Sequence, residues 1–354
     1  MKKILILSAI LGLMSFRVQA QTGTKAPAKT GTVKTSSQVK KKPAITPAGG
    51  AVTDKSGKKE APAEKSVFDT ALEQIKSQDP QIRRLGAGAL VAARDPKAAP
   101  HLENLLADGD EGVRIAAIDG LGVLRSESSV EKLLKMLAEE KSALVRQSCV
   151  IALSYMGGLK NPENLISAAM KDPDLSVRYA AIRTLGSLKI NQAEGELIKA
   201  LKEDDPDLKR AVISSLGAIR SVKAVDQLKN YLTNENVNIR QEAIKALGSI
   251  GDASAIENIK ARLSESNPEI QLEAALALAK LGNASGLETA YKHIDSREYV
   301  LQQQALTVLS IAGDAKSLEL LDKKIKETKN ESVKPVMEFT RQRIKARLKL
   351  GKGK

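Results

Sequence analysis

Apolar residues recur along residues 172–188, DPDLSVRYAAIRTLGSL, at the three- and four-residue spacing of an amphipathic helix. Counted from Arg178, aliphatic side chains stand at offsets −1, +3, +4, +7 and +10. At about 100° per residue these positions fall in one sector of a helix. Asp174, at offset −4, is a residue type that caps helices. The pattern predicts a helix that begins after Asp174 and buries one face against neighbouring helices.

The same pattern occurs at least eight times along the chain, with a period of 31 or 32 residues. The positions equivalent to Arg178 are Arg83, Arg114, Arg146, Lys209, Arg240, Gln271 and Gln302. Every copy has leucine at offset +7 and an aliphatic residue at −1, and all but one have a helix-capping residue type at −4. A shorter apolar helix precedes most copies, for example at 130–137. The sequence predicts an all-α solenoid of about nine antiparallel helix pairs, none of which can bury its apolar face alone.

The segments outside the repeats differ from them in composition. Residues 1–20 combine two early lysines, a short apolar run and a small residue at the end, which is the organisation of a secretory signal peptide. Its short, lysine-led form indicates a bacterial signal, with an uncleaved anchor as the alternative. Residues 21–65 are rich in Lys, Ala, Thr, Pro and Gly, which predicts a disordered tether. We therefore expect an exported, periplasmic protein with a solenoid over 66–350.

The last unit, 314–350, departs from the repeat and is predicted to be a capping repeat with a basic C-terminal helix. The side chains expected to cover the preceding pair are Val333, Val336, Met337, Phe339, Ile344 and Leu348. The side chains expected to face outward are Arg341, Arg343, Lys345, Arg347 and Lys349. Such a polar outer face is what the end of a repeat stack needs.

The net charge of +14, from 56 Lys+Arg and 42 Asp+Glu, is concentrated at the two ends of the chain. Residues 1–65 carry 13 basic and 3 acidic residues, and 341–354 carry 7 basic ones. The remainder, 66–340, has 36 basic and 39 acidic residues. A body without excess positive charge, in a chain with 2% aromatic residues, argues against nucleic-acid binding. The basic ends could make weak contact with an anionic envelope surface.

The repeated motif D-P-x-(Val/Leu)-Arg-x-x-Ala-(Ile/Ala)-x-x-Leu-Gly appears as DPDLSVRYAAIRTLG, ENVNIRQEAIKALG and GDEGVRIAAIDGLG. Over about 66–350 the chain resembles HEAT repeats, specifically the short HEAT-like repeats named after phycobilisome lyases. The resemblance implies a right-handed, armadillo/HEAT-like superhelix whose second helices line the inner surface. It also implies a ladder of Asp and Arg from the same turn. The pairs that fit are Asp79/Arg83, Asp110/Arg114, Asp174/Arg178 and Asp205/Lys209, whereas Gln271 and Gln302 interrupt the ladder.

Catalytic motifs are missing from the sequence: there is no nucleophile elbow, phosphate loop or paired-carboxylate motif. His101 and His293 are the only histidines and stand six units apart, so they are expected to be exposed helix residues rather than metal ligands. The repeated His-Glu pairs of the HEAT-like iron hydroxylases do not occur. Cys149, the only cysteine, occupies an offset that alanine fills in most copies, which predicts a buried thiol. We therefore expect no catalytic residue, metal or cofactor, and no enzymatic activity.

Offsets +1, +5 and +9 of each second helix lie opposite the apolar stripe and are expected to face the inner groove. Tyr and Arg are enriched where interfaces concentrate binding energy. The candidate partner-binding residues are Ile115, Ile151, Tyr155, Tyr179, Arg183 and Arg210. We predict a non-enzymatic scaffold of the bacterial cell envelope that binds a protein partner in this groove. The alternatives are an accessory or regulatory subunit of an enzyme, in the manner of lyase-type HEAT-like proteins, and an envelope-surface binder acting through its basic ends.

Overall fold

The computed structural model describes residues 65–95 and 97–351, which form eighteen α-helices in nine consecutive pairs and, within those ranges, no strand. The predicted signal peptide and all of the predicted tether except Lys65 lie outside these residues. The first helices of the pairs are α1 Val67–Gln74, α3 Ala98–Leu105, α5 Val130–Glu139, α7 Glu163–Lys171, α9 Glu194–Lys199, α11 Val225–Asn230, α13 Ile256–Lys260, α15 Leu287–His293 and α17 Ala315–Glu327. The second helices are α2 Pro80–Ala93, α4 Glu111–Leu124, α6 Ala143–Met156, α8 Leu175–Ser187, α10 Pro206–Ala218, α12 Val237–Ile250, α14 Pro268–Lys280, α16 Tyr299–Ala312 and α18 Lys334–Gly351. The predicted all-α solenoid is confirmed.

The predicted cap and apolar stripe of the second helices are both present. Asp174 precedes α8, and its carboxylate accepts hydrogen bonds from the N–H groups of Ser176 at 2.8 Å and Val177 at 3.2 Å. The leucine at offset +7 is fully buried in all eight copies: Leu90, Leu121, Leu153, Leu185, Leu216, Leu247, Leu278 and Leu309. The offset −1 residue is also buried in every copy except the first, where Ile82 is 39% exposed because no described unit precedes it.

Second helices pack against each other at every step along the stack, whereas successive first helices make fewer contacts. A glycine at offset +8 permits this close approach in four of the units. At Gly186 and Gly248, an added Cβ atom would lie 2.8 Å from the Cα atoms of Ser215 and Ala277, respectively, on the next second helix. The same relation holds for Gly122 against Ala152 and Gly217 against Ala246. The second helices therefore lie on the tighter, inner side of the stack.

An ion-pair ladder joins successive units, but its partners differ from those expected. Arg83 donates from Nε and Nη2 to the carboxylate of Asp108 in the next unit, both at 2.7 Å. The same two-atom arrangement pairs Arg114 with Glu140 and Arg146 with Asp172. Arg178 and Arg240 form ion pairs with Glu203 and Glu265 through one guanidinium nitrogen each. The same-turn pairing is wrong, because the carboxylates at offset −4 cap the helices, as Asp79 does for Gln81 N–H.

The ladder breaks where the arginine is replaced. Lys209, expected to continue it, instead has its ammonium 6.0 Å from the centroid of the Tyr231 ring. Gln271 and Gln302 donate to the backbone carbonyls of Glu265 and Ile294. Amide side chains retain the contact to the backbone but lack the charge that pairs with the next unit. The predicted interruption in the last third is therefore present.

In the last described pair, three of the residues expected to cover the preceding pair, Val333, Met337 and Ile344, are almost completely buried. Three expectations about α18 are wrong. Arg341 is half-buried, because its guanidinium donates to the carboxylate of Asp322 on α17 at 2.8 Å. Phe339 is 59% exposed, because it lies on the outer face, where the Arg343 guanidinium stands 6.0 Å from its ring centroid. Arg347 turns inward and donates to the carbonyl oxygen of Gly313, and burial lowers its pKa.

Candidate partner-binding site

A recess of about 390 Å³ lies on the inner row of helices, where α8, α10 and α12 meet side by side. Each helix contributes the residues at offsets +1 and +5: Tyr179 and Arg183, Arg210 and Ser214, Gln241 and Lys245. These offsets recur on one helix face because four residues make slightly more than one turn. The lining also includes Asn238, Glu242, Ser187 and Ser215, and the buried small residues Gly186 and Ala211 lie beneath them. Because Gly186 and Ala211 are small, they leave room between the long side chains around them.

Tyr179 and Arg183 form one ordered element at the edge of the recess. Nη1 of Arg183 donates to the hydroxyl oxygen of Tyr179 at 3.1 Å, and the guanidinium carbon lies 5.6 Å from the ring centroid. An arginine near an aromatic ring is stabilised by a cation–π interaction. The Tyr179 ring is half-buried against the core, so it fixes the position of the exposed guanidinium.

Of the six predicted binding residues, the structure brings Tyr179, Arg183 and Arg210 together in the recess. The other three lie on the preceding second helices, α4 and α6, outside its lining. Ile115 and Ile151 are half-buried rather than exposed, and Ile115 packs against the core. Tyr155 is 45% exposed near the end of α6. The partner-binding role of all six remains a prediction.

The sequence-based selection omitted Gln241 and Lys245, although both stand at the same offsets one unit further along. The selection favoured Tyr and Arg, which are the residue types richest in binding energy at interfaces. Applying the offsets without regard to residue type would have included them. Asn238 and Glu242 lie at offsets −2 and +2, which fall on the same face of α12 as Gln241 and Lys245 because successive residues are about 100° apart around a helix.

A second, shallower depression lies between the first helices α15 and α17. Its cations already have acidic partners: Nζ of Lys316 lies 2.6 Å from Glu288, and Lys324 pairs with Asp295. The hydroxyl of Tyr291 hydrogen bonds with Ser317 at 2.8 Å. Because these polar groups are satisfied by their neighbours, this depression is a weaker candidate for binding a ligand.

Groups that could support catalysis or metal binding are dispersed. His101 and His293 are half-buried rather than exposed as predicted, and the His101 ring packs edge-on against Phe68. Burial lowers the pKa of His293, which favours the neutral ring. Cys149 is completely buried as predicted, and burial raises the pKa of its thiol to about 12. The described ranges hold no cluster of three or more His, Cys, Asp or Glu side chains suited to a metal ion.

The stacked helix pairs, with a polar recess on their inner row, define an α-solenoid built of repeats. Four matches, over residues 68–154, 162–237, 194–265 and 225–310, assign most of the chain to one family. The protein belongs to the HEAT repeat family. Within the described ranges, no helix is both long enough and apolar enough to span a bilayer.

Two curated relatives carry similar repeats. The chain is 32% identical over 108 residues to phycocyanobilin lyase subunit beta of Pseudanabaena tenuis, covering 30% of this chain and 38% of the relative. It is 30% identical over 136 residues to the phycocyanin alpha phycocyanobilin lyase CpcF of Synechocystis, covering 37% of this chain and 63% of that protein. The matched stretch spans less than two thirds of each relative. The expectation that the protein is not an enzyme is wrong, because these relatives are named as a lyase and a lyase subunit.

Among solved structures, a chain of the complex of CpcE and CpcF of phycocyanin lyase from Nostoc is 20% identical to this chain, with a TM-score of 0.41. The alignment covers 72% of this chain and 97% of the matched chain. An X-ray structure of the Escherichia coli protein YibA is 17% identical, with a TM-score of 0.49, and covers 81% of this chain and 98% of that one.

Proposed function

We propose that this protein is a subunit of an enzyme complex, in the manner of the lyase subunits it resembles, and that it binds its partner protein along the inner row of helices. The recess of α8, α10 and α12 carries the proposal. Three successive units supply it with tyrosine, arginine, amide and lysine side chains from the same two offsets. A repeat stack that presents such side chains in register offers an extended binding surface.

The distribution of polar chemistry supports a binding role for this chain within such a complex. Its candidate acids and bases are dispersed over separate units, and the one thiol is buried. Exposed polar side chains, among them Arg183 held against Tyr179, are grouped on the inner row. The names of the two curated relatives support membership of a lyase-type assembly.

Site-specific photocrosslinking in cells tests the proposal within a single repeat. A photoreactive phenylalanine analogue replaces Ser214, which lies in the recess on α10, or Lys199, which is exposed on α9 of the same unit. We expect a discrete crosslinked protein from position 214 and none from position 199. The isolated partner is then assayed for turnover with and without this protein, and turnover should require both.

Crosslinks of equal strength from both positions, or a partner whose turnover does not depend on this protein, would contradict the proposal. Adducts that form only with envelope polymer would favour the basic ends of the chain as the binding elements. We also propose that the protein is exported, because residues 1–20 have the organisation of a signal peptide. This is tested separately by fusing residues 1–65 to alkaline phosphatase, which is active only after export. An inactive fusion would place the complex in the cytoplasm.

A further inference from the structure

We propose that the recess of α8, α10 and α12 recognises an acidic segment of the partner protein, whose carboxylates contact Arg183, Arg210 and Lys245. This inference rests on the proposed function and specifies the chemistry of the bound segment. It begins with the charge inside the recess, where three cationic side chains face a single lining carboxylate, that of Glu242.

The recess cations differ from the ladder arginines of the same units. Arg178 and Arg240, in the first turns of α8 and α12, are matched by Glu203 and Glu265. Arg183, one turn further along α8, contacts only the neutral ring and hydroxyl of Tyr179. Within residues 65–95 and 97–351, no carboxylate lies within 4 Å of the cationic nitrogens of Arg183 or Lys245. The Lys245 charge acts at longer range on the buried carboxyl group of Glu273 on α14, and both cations remain open to direct contact with a ligand.

Arg210 has one partner, and that partner is easily displaced. Its Nη2 atom lies 3.2 Å from Oδ1 of Asp207, on the first turn of α10. The Asp207 side chain is 71% exposed, and exposed ion pairs contribute little to stability because water screens them. A carboxylate that enters the recess can therefore replace Asp207 at little cost.

The spacing of the cations favours a chain segment over a small anion. Arg183, Arg210 and Lys245 stand on three successive helices, and packed helices lie about 8–10 Å apart. One carboxylate or phosphate cannot contact all three. Acidic residues seven positions apart on a partner helix are separated by about 10 Å, which matches one step between helices. The amides of Asn238 and Gln241 add hydrogen-bond donors along the same line.

The surrounding charge makes the recess selective. Residues 66–340 hold 39 acidic and 36 basic residues, so most of the solenoid repels an acidic segment weakly. Unpaired cations in a concave surface then concentrate the attraction at one place. Binding through these cations should weaken as salt is raised, because ions screen the charges on both partners.

The test uses the full chain and fluorescein-labelled poly-L-glutamate of about twenty residues, which extends over about 30 Å when helical, with binding followed by fluorescence anisotropy. The recess variant is Arg183→Gln/Arg210→Gln/Lys245→Gln. The matched variant, Lys199→Gln/Lys223→Gln/Lys260→Gln, removes the same charge from exposed lysines of the first-helix side in neighbouring units. We expect the recess variant to raise the dissociation constant at least tenfold and the matched variant to change it less than twofold.

Equal losses in the two variants would overturn the inference, because they would show attraction by net charge alone. Unchanged binding in both would also overturn it and would place the acidic contact on the basic ends. Displacement of the probe by micromolar acetate or inorganic phosphate would identify a small-anion site instead. If photocrosslinking at position 214 succeeds while the recess variant binds poly-L-glutamate normally, the recess remains the partner site, but the proposal that it recognises an acidic segment is rejected. If crosslinking at position 214 fails while the recess variant loses poly-L-glutamate binding, the acidic site is retained and the proposed partner is rejected.

Discussion

Nη2 of Arg146 lies 2.7 Å from Oδ1 of Asp172, across the boundary between the third and fourth helix pairs. Nη1 of the same guanidinium donates to the carbonyl oxygens of Glu140 and Lys141, and Asp172 accepts from the N–H of Asp174 at 2.9 Å. One arginine therefore joins the turn of its own unit to the turn of the next. The contact fixes the spacing between successive turns, in addition to the packing of the helices.

Removing one member of this pair should destabilise the stack strongly. The Arg146 and Asp172 side chains are 10% and 6% exposed, and breaking a buried pair costs about 3–5 kcal/mol, because the remaining charge is left without a partner. We expect Asp172→Asn to lower the free energy of unfolding, measured with urea, by an amount near the lower end of that range. Glu194→Gln removes an ion pair with the exposed Lys223 and should lower the free energy of unfolding by about 1 kcal/mol or less. Equal losses from the two variants would show that the ladder does not stabilise the boundary.

The ladder carboxylates also predict how stability falls in acid. The hydrogen bond from Arg83 lowers the pKa of Asp108, and the pKa of Asp172 is lowered because hydrogen bonds from Arg146 and Asp174 outweigh the effect of burial. Groups with a lowered folded-state pKa contribute stability above their unfolded pKa, about 4, and lose it as the pH falls through the folded value. The stability difference between wild type and Asp172→Asn should therefore be full at pH 7 and shrink below about pH 4. A difference that is independent of pH would contradict the assignment.

The close approach of second helices should make their glycines sensitive to one added methyl group. A Cβ atom at Gly248 would lie 2.7 Å from Cβ and 2.8 Å from Cα of Ala277, and overpacking of this kind costs about 1–3 kcal/mol. We expect Gly248→Ala to lower the midpoint of thermal unfolding. Gly88→Ala on α2 is the matched variant, because nothing lies within 4 Å of its added Cβ atom. That change should raise the free energy of unfolding by up to about 1 kcal/mol, because alanine has a higher helix propensity than glycine.

The periodic features of this fold were predictable from sequence, whereas contacts between units were not. The buried leucines and the cap at Asp174 follow from local spacing, and so does the grouping of Tyr179 with Arg183. The partner of Arg83 stands 25 residues away, in the turn of the next unit, so no pattern within one repeat identifies it. Phe339 was misplaced for a related reason: the last helix has a neighbour on one side only, and its sequence alone does not show which side.

Four second helices end at residues that adopt a left-handed backbone without being glycine. Lys189 and Arg220 have φ values of 54° and 56° at the position where the next two units have Gly251 and Gly282. The left-handed conformation costs about 1–2 kcal/mol for residues other than glycine, partly offset by the greater freedom of glycine in the unfolded chain. Lys189→Gly and Arg220→Gly should each stabilise the protein, by about 1 kcal/mol at most.

The reverse substitution, Gly251→Arg, tests the same argument, because Gly251 has a φ of 87° and nothing lies within 4 Å of an added Cβ atom. Only backbone strain can then oppose the arginine, so we expect a loss of about 1–2 kcal/mol. Equal stabilities for glycine and arginine at both positions, measured by urea unfolding, would show that the cap geometry relaxes.

Glu273 on α14 should respond to pH in the opposite sense to the ladder carboxylates. Its side chain is 7% exposed, and burial raises its pKa against the opposing charges of Lys280 and Lys245. A carboxyl group whose folded-state pKa is raised contributes fully below its unfolded pKa, about 4, and that contribution is lost as the pH rises through the folded value. Glu273→Gln keeps the shape of the side chain and removes the charge.

Wild type and Glu273→Gln should have similar stability near pH 4, and the variant should become the more stable of the two as the pH rises toward 8. Glu269→Gln provides the comparison on the same helix, because Glu269 is exposed in the first turn of α14. Its stability difference from wild type should stay small over this pH range, since an exposed carboxylate remains solvated when charged. A Glu273→Gln variant that is less stable than wild type at every pH would show that the charged carboxylate is held by favourable contacts, and burial would no longer explain its raised pKa.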